Sequence, residues 1–400
     1  MLSHFFVPLG TKSRAAVLGA TCLTLGFVLA PYFRQANKTG VFKRSPKSTL
    51  LNGLSEGELA ALPYPPGVLP GGRDVSTPYG SIRVYEWGPE DGEKVLFLHG
   101  ISTPVISLGD LAHELSGKGY RVMLFDLFGR GYSDAPSDLT YDARLYVTQI
   151  LLVLASSPIS WSKFHLVGYS LGGCLAVSFA RYYPHLLESL TSIAGGGLIR
   201  PHHVGWQSKL LYNAGILPEW AVRYLVRRRI RPSAAPPRAA GGTDIMAAES
   251  KMQPGNGDAS GGNGFDSASI SRYRPGVKVS SVVAWQIDHH EGFINAFLST
   301  IRNAPIYSPQ QDWAALSLIL RERRQAKDGL LPQGLERGKI LLILGKDDPV
   351  VVPSETIDDA EKALGKDGVQ AVILPAGHEL PITLSIEVAN CIDSFAVKRH

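Results

Sequence analysis

Cysteine is scarce, at three in 400 residues. Cys22, Cys174 and Cys391 are far apart and odd in number, which excludes a metal-binding spacing and a disulfide framework. Charged residues are few as well, 19% against 44% hydrophobic residues, a balance that describes a globular chain and not a disordered one. Acidic residues are missing altogether from residues 1–55, which hold seven Lys or Arg. The net charge of +5 therefore originates in that segment, and the remaining chain stands at −2. A folded part with that balance gives no support to nucleic-acid binding.

The basic segment contains the one long uncharged run. Residues 15–33 read AAVLGATCLTLGFVLAPYF; as a helix they would extend about 28 Å, close to the hydrocarbon thickness of a bilayer. Lys12 and Arg14 precede the run, and Arg34, Lys38, Lys43 and Arg44 follow it. The expectation is a single-pass membrane anchor, endomembrane or mitochondrial, within an N-terminal segment 1–55. A cleaved signal peptide is the rival, but Pro31 would follow the cut after Ala30. A mitochondrial targeting segment is the third reading, from the acid-free, Arg/Lys-containing composition. The excess of positive charge after the run favours a cytoplasmic catalytic domain.

A linker is expected over 56–72 and a folded domain over 73–400. Strand-like runs occur at 81–87 (SIRVYEW), 94–98 (KVLFL), 121–125 (RVMLF), 163–167 (KFHLV), 189–194 (SLTSIA), 339–344 (KILLIL) and 369–374 (VQAVIL), with helix-like stretches between them. Continuous apolar strands alternating with helices predict an α/β fold, a mostly parallel sheet covered on both faces. The gap between residues 194 and 339 is too long for a simple connection. It predicts a helical lid over 202–335, with Phe293, Ile294, Phe297, Leu298 and Ile301 as an apolar stripe at helical spacing. Residues 231–276 are rich in Gly, Pro, Ser and Ala and predict a disordered insertion within that lid.

The strongest chemical signal is Gly168-Tyr169-Ser170-Leu171-Gly172-Gly173. A G-x-S-x-G pattern after a strand and before a helix is the nucleophile-elbow arrangement, with Ser170 as candidate nucleophile. A serine hydroxyl needs an adjacent base, and the base needs an acid to orient it. In the chain order Ser, acid, His, the base is His378 and the acid lies in Gly345-Lys346-Asp347-Asp348. Both follow strands, at the end of the sheet where open parallel sheets build their sites. Asp347 and Asp348 share one turn, and spacing within the turn does not by itself separate them. The backbone N–H groups of Leu171 and of Ile101, in His99-Gly100-Ile101-Ser102, are the candidate oxyanion donors. His165 reads as a core residue. The pairs His202/His203 and His289/His290, even with Asp288 and Glu291 nearby, diverge along a helix and do not suggest a metal. No cofactor is expected.

These segments, with Asp126-Leu127-Phe128-Gly129-Arg130-Gly131-Tyr132-Ser133, resemble the α/β-hydrolase superfamily over roughly residues 73–398. The resemblance implies an α/β-hydrolase fold with a helical lid. It also implies Asp348 as the acid, three residues after Gly345, and a structural role for Asp126. Serine at the elbow, where epoxide hydrolases and haloalkane dehalogenases carry Asp, points away from those chemistries, and the H-x-x-x-x-D signature of acyltransferase-like members is absent. An anchor ahead of the domain is similar to membrane-bound monoacylglycerol lipases, from which the 231–276 insertion departs. The function expected is a serine hydrolase cleaving carboxylic esters of small-molecule or lipid origin through an acyl-enzyme. The alternatives are an aminopeptidase, with Asp288 or Glu291 receiving a substrate amine, a C–C bond hydrolase, and a non-catalytic binding protein.

Overall fold

The computed structural model describes residues 41–203, 208, 211–212, 215–231, 262–307, 310–326 and 333–396. The chain divides into two units, Met1–Val41 and Phe42–His400. The expected anchor at 15–33 lies outside the described residues. Among those described, no helix is long and apolar enough to cross a membrane.

Eight strands form the central sheet: β1 (Gly72–Thr77), β2 (Gly80–Trp87), β3 (Lys94–Leu98), β4 (Arg121–Phe125), β5 (Phe164–Tyr169), β6 (Leu187–Ile193), β7 (Ile340–Gly345) and β8 (Val369–Leu374). Their spatial order is β8-β7-β6-β5-β3-β4-β2-β1. β1 and β2 run antiparallel at one edge, and the other six strands are mutually parallel. The central strands β5 and β7 are buried at every position, as their apolar runs require when helices cover both faces. β8, at the opposite edge, alternates between half-buried and exposed positions. β1, at the other edge, was not expected as a strand, because GRDVST is mostly polar and nowhere buried, as an edge strand can be.

Helices flank the sheet. α1 (Glu56–Ala61) precedes it; α2 (Gly109–Gly117), α3 (Ala143–Ala155) and α4 (Leu171–Tyr182) follow β3, β4 and β5. Between β6 and β7 come α5 (Glu219–Ile230), α6 (Gly262–Ser267), α7 (Val279–His289), α8 (Phe293–Asn303) and α9 (Gln310–Gln325). α10 (Pro353–Leu364) and α11 (Ser385–Ala396) complete the layers. α9 packs on α4 and α10, so it belongs to the layer flanking the sheet and not to the expected lid.

Three expected boundaries shift. The segment expected to link anchor and domain is folded into the domain. α1 begins with a capping box between Ser55 and Glu58, and Tyr64 is fully buried. Its ring stacks on Tyr132 at 4.7 Å, and its hydroxyl donates to Asp126 Oδ2 at 3.0 Å. Even residues of the basic segment join: Phe42–Lys43 pair with Ala135 and Pro136, and the Ser45 N–H donates to Asp134 Oδ1 at 2.8 Å. Prolines on either side of Tyr64 give the segment the composition of a linker, while one aromatic ring supplies its packing.

The disorder expected over 231–276 does not hold for all of that range. Residues 232–261 lie outside the described residues, but 262–276 are folded. Asp110 accepts hydrogen bonds from Ser271 Oγ and from the Arg272 N–H, both at 2.7 Å. Ile270 is buried, and Ser269 bridges Lys278. A single buried carboxylate therefore orders a stretch whose composition holds few large apolar residues.

Asp126 accepts from the backbone N–H groups of Val105 and Tyr132 as well as from Tyr64, the structural role that the resemblance implied. Tyr64→Ala is expected to lower the unfolding free energy by about 3–5 kcal/mol, the usual cost of deleting a buried aromatic ring. Tyr64→Phe should cost about 1–2 kcal/mol through the lost bond to Asp126. Denaturant unfolding of the three proteins checks this; a Tyr64→Ala variant within about 0.5 kcal/mol of wild type would restore the linker reading.

Candidate active site

Ser170 sits between β5 and α4 with φ +52° and ψ −116°, a backbone conformation that costs a non-glycine residue on the order of 1–3 kcal/mol. The turn is possible because its flanks lack side chains. A Cβ on Gly168 would stand 2.1 Å from the Gly172 carbonyl oxygen, and one on Gly172 would stand 2.1 Å from that of Leu98. Backbone bonds then hold the turn in place. The Ser170 N–H donates to Ile193 O at 3.0 Å, and the Ser170 carbonyl accepts from the N–H groups of Gly173 and Gly196.

The partners of Ser170 arrive from the far side of the sheet. β7 and β8 pair in parallel with Gly345 opposite Leu374, so the loops after them leave side by side. The Lys346 N–H donates to Leu374 O at 2.8 Å and the Asp347 N–H to Ala376 O at 3.1 Å. This lacing turns Asp347 outward, where it is exposed, and Asp348 inward, where it is buried. Asp348 Oδ2 lies 2.8 Å from His378 Nδ1, and His378 Nε2 lies 3.1 Å from Ser170 Oγ. A carboxylate only accepts, so Nδ1 carries the proton and Nε2 is free to accept from the serine. The second oxygen of Asp348 accepts from the Val350 and Val351 N–H groups at 2.8 and 2.9 Å. The Tyr169 hydroxyl donates to the His378 carbonyl at 2.8 Å.

Leu171 begins α4, with its N–H among the unpaired donors at a helix start. Ile101 follows β3, and a Cβ on the neighbouring Gly100 would lie 3.5 Å from the Ser170 Cβ. Three consecutive carbonyls of that loop are held by side chains. His99 Nε2 accepts the Leu127 N–H at 2.8 Å, which leaves Nδ1 to donate to Gly100 O at 2.7 Å. Arg130 Nε donates to Ile101 O at 3.1 Å, and Gln286 Nε2, from α7, donates to Ser102 O at 2.8 Å. Burial pushes the His99 imidazole down to about 3, so it remains the neutral tautomer that this pattern needs. None of these three side chains was given a role on the sequence alone, although His99 and Arg130 stand in the His99-Gly100 and Gly129-Arg130-Gly131 segments.

The other candidates stand apart from this cluster. Asp288 pairs with Arg227 and Arg231, and exposed Glu291 faces Lys43; neither lines the pocket beside Ser170. His165 is buried against Ser189, as a core residue. His290 uses both ring nitrogens, accepting from the Gly292 N–H and donating to Ser133 O, and burial lowers it to about 4. His202, His203 and Glu355 place ligand atoms within 4.8 Å of one another. Arg200 Nε, however, lies 3.7 Å from the same Glu355 carboxylate and opposes a cation there. The apolar stripe of α8 is buried in the core, and no residue of it lines the pocket. A lipid substrate therefore gains nothing from that stripe.

Two pocket residues had no signal in the sequence. Phe265 and Asp266, on α6, form a wall of the pocket that also holds Ile101, Ser170, Val350 and His378. The Phe265 ring stands 5.9 Å from the His378 ring. Asp266 is fully buried, and no described residue donates to either of its carboxylate oxygens.

Sheet order, elbow and loop positions are those of the α/β-hydrolase fold. The family model for that fold matches residues 94–236. A serine hydrolase-like protein of Danio rerio is 30% identical over 126 residues, which are 31% of this chain and 38% of that protein. Lipase 1 of Psychrobacter immobilis is 30% identical over 119 residues, 30% of this chain and 37% of that one. The matches thus span under two-fifths of those relatives. Among solved structures, a membrane phospholipase A superposes with a TM-score of 0.55 at 16% identity, over 96% of this chain and 97% of that chain. A carboxylesterase of Bacillus subtilis gives 0.52 at 17% identity, over 81% of this chain and 90% of that chain. The chain has the α/β-hydrolase fold, matches that family's model over residues 94–236, and carries a serine at its elbow.

Burial pushes the Asp266 carboxyl up to about 8. An acid whose folded-state value lies above its unfolded value of 3.8 stabilises the fold only while protonated, so that contribution is lost as pH rises from about 4 to about 8. Asp266→Asn is therefore expected to melt above wild type, with a gap that widens across this window and levels off beyond it. Thermal unfolding at several pH values measures the gap; a constant difference would contradict the assignment.

Proposed function

We propose that the protein is a serine hydrolase that cleaves carboxylic esters through an acyl-enzyme, with Ser170, His378 and Asp348 as its catalytic residues. The observation that carries this reading is the unbroken hydrogen-bond series from Ser170 Oγ through the His378 ring to Asp348. His378 Nε2 takes the serine proton as Oγ attacks the ester carbonyl. The carbonyl oxygen, now negative, is received by the N–H groups of Leu171 and Ile101. Collapse of the tetrahedral species expels the alcohol, which takes the proton from His378, and leaves Ser170 acylated. Water, deprotonated by the same imidazole, repeats the sequence and releases the acid. Asp348 keeps the ring oriented and balances its positive charge. Its two remaining backbone donors hold the carboxylate in place.

Lipid-derived esters remain within this proposal because Lipase 1 of Psychrobacter immobilis is among the relatives. Ile101, Phe265 and Val350 give the pocket apolar walls that suit an acyl chain. The uncharged run at 15–33 would hold such an enzyme at a membrane as a single-pass anchor. An aminopeptidase loses its support, since Asp288 and Glu291 are turned to Arg and Lys partners outside the pocket. A non-catalytic role has no lost triad member to recommend it.

A fluorophosphonate probe should label the wild type and leave Ser170→Ala unlabelled; labelling of both would sink the assignment. Ester turnover in Ser170→Ala and His378→Ala should fall by roughly 10³-fold or more, and combining the two should cost little extra. The full chain should sediment with membranes and resist alkaline carbonate, whereas a chain lacking residues 1–41 should remain in the supernatant; extraction of the full chain by carbonate counts against the anchor.

A further inference from the structure

Resting on the reading of Ser170 as nucleophile, we propose that Asp266 is the specificity-determining residue of its pocket and receives a primary ammonium group carried by the substrate. The structure holds a carboxylate that is completely buried and lines the same pocket as Ser170 and His378. No described residue donates to either oxygen. Buried carboxylates are ordinarily satisfied by two or more donors, because each unmet oxygen costs free energy. Asp348, Asp126 and Asp110 follow that rule, each accepting from at least two protein groups, and Glu379 meets it with one oxygen only, on the Gly377 N–H. Asp266 meets it with neither.

Its position is held from both sides. Phe265, one residue earlier, lies against the His378 ring, and Ser271 and Arg272, a few residues later, are hydrogen-bonded to Asp110. Asp266 is thus held in the wall of that pocket by anchors that do not involve its carboxylate. Among the described residues, no Lys or Arg lines the pocket, so the charge that would neutralise Asp266 must come with the ligand. A primary ammonium supplies three N–H donors together with the opposite charge, matching two bare oxygens in an apolar surrounding, where a charge-assisted bond is strongest. A quaternary nitrogen has no N–H to offer, and a hydroxyl brings no charge. The substrate class is therefore a carboxylic ester with a protonated amine within reach of the pocket wall.

The test separates binding from turnover. Hexylammonium and 1-hexanol are titrated at about pH 9, where the Asp266 carboxyl is ionised and a primary amine is still protonated, against the full chain and against Asp266→Asn, an isosteric change that removes the buried carboxyl and so does not endanger folding. Wild type should bind hexylammonium at least about ten-fold more tightly than 1-hexanol, the scale of a charge-assisted hydrogen bond, and the ratio should fall to near one in Asp266→Asn. In parallel, kcat/KM is compared for 4-nitrophenyl 6-aminohexanoate and 4-nitrophenyl heptanoate, which differ by an ammonium in place of a methyl. The wild type should prefer the amino ester and Asp266→Asn the neutral one. Equal binding of the two ligands by wild type, or a preference for hexylammonium that survives in Asp266→Asn, overturns the proposal. Turnover of both esters without dependence on Asp266 also overturns it, while leaving the esterase reading intact. Failure to turn over either ester, with hexylammonium still bound through Asp266, defeats the esterase reading and upholds the ammonium site.

Discussion

A serine forced into a left-handed backbone conformation is the constraint on which the rest of this molecule depends. The strain at Ser170 is tolerated because glycines remove the side chains that would collide with the turn, and because the backbone of the turn is tied to the end of β6. The consequence is geometric. The hydroxyl stands at the end of the sheet, at the start of a helix whose free N–H groups favour negative charge, and within reach of loops from β3, β7 and β8. An ordinary strand-to-helix turn would aim the side chain elsewhere.

The loops around that serine are held by hydrogen bonds from remote parts of the chain. The carbonyls of Gly100, Ile101 and Ser102 are each engaged by a different side chain, from His99, Arg130 and Gln286. With those carbonyls turned away, the N–H groups of the same peptides are left to face the site. Gln286 lies on α7, in the region between β6 and β7, so this region does more than cover the sheet. Arg130 extends the same network, since it also bonds Tyr146 and the α8 residue Thr300. Displacement of α7 or α8 would therefore be felt at the loop of Gly100, Ile101 and Ser102.

Charge is distributed with a similar economy. The positive excess of the chain lies in its first 55 residues. Beside Ser170 the pocket is lined by His378, whose ring joins Ser170 to Asp348, and by Asp266, to which no described residue donates. On the proposal made above, a pocket with an unmatched carboxylate distinguishes ligands by charge more sharply than by size.

Much of this was legible in the sequence. Apolar runs such as KVLFL and ILLILG specify strands buried on both faces whatever their neighbours, and the G-x-S-x-G turn is local chemistry, so sheet type, elbow and the order Ser, Asp, His could be read residue by residue. What lay beyond reading depends on partners far along the chain. Asp347 and Asp348 are adjacent in one turn, and only the pairing of β7 with β8 turns one outward and the other toward His378. Tyr64 looks like part of a linker until Asp126 and Tyr132 enclose it. Asp266 looks like a polar residue at the edge of a low-complexity stretch until folding removes it from water. Local pattern determines which elements form; burial and long-range hydrogen bonds exist only once the elements are packed, and they decided which side chains surround the serine.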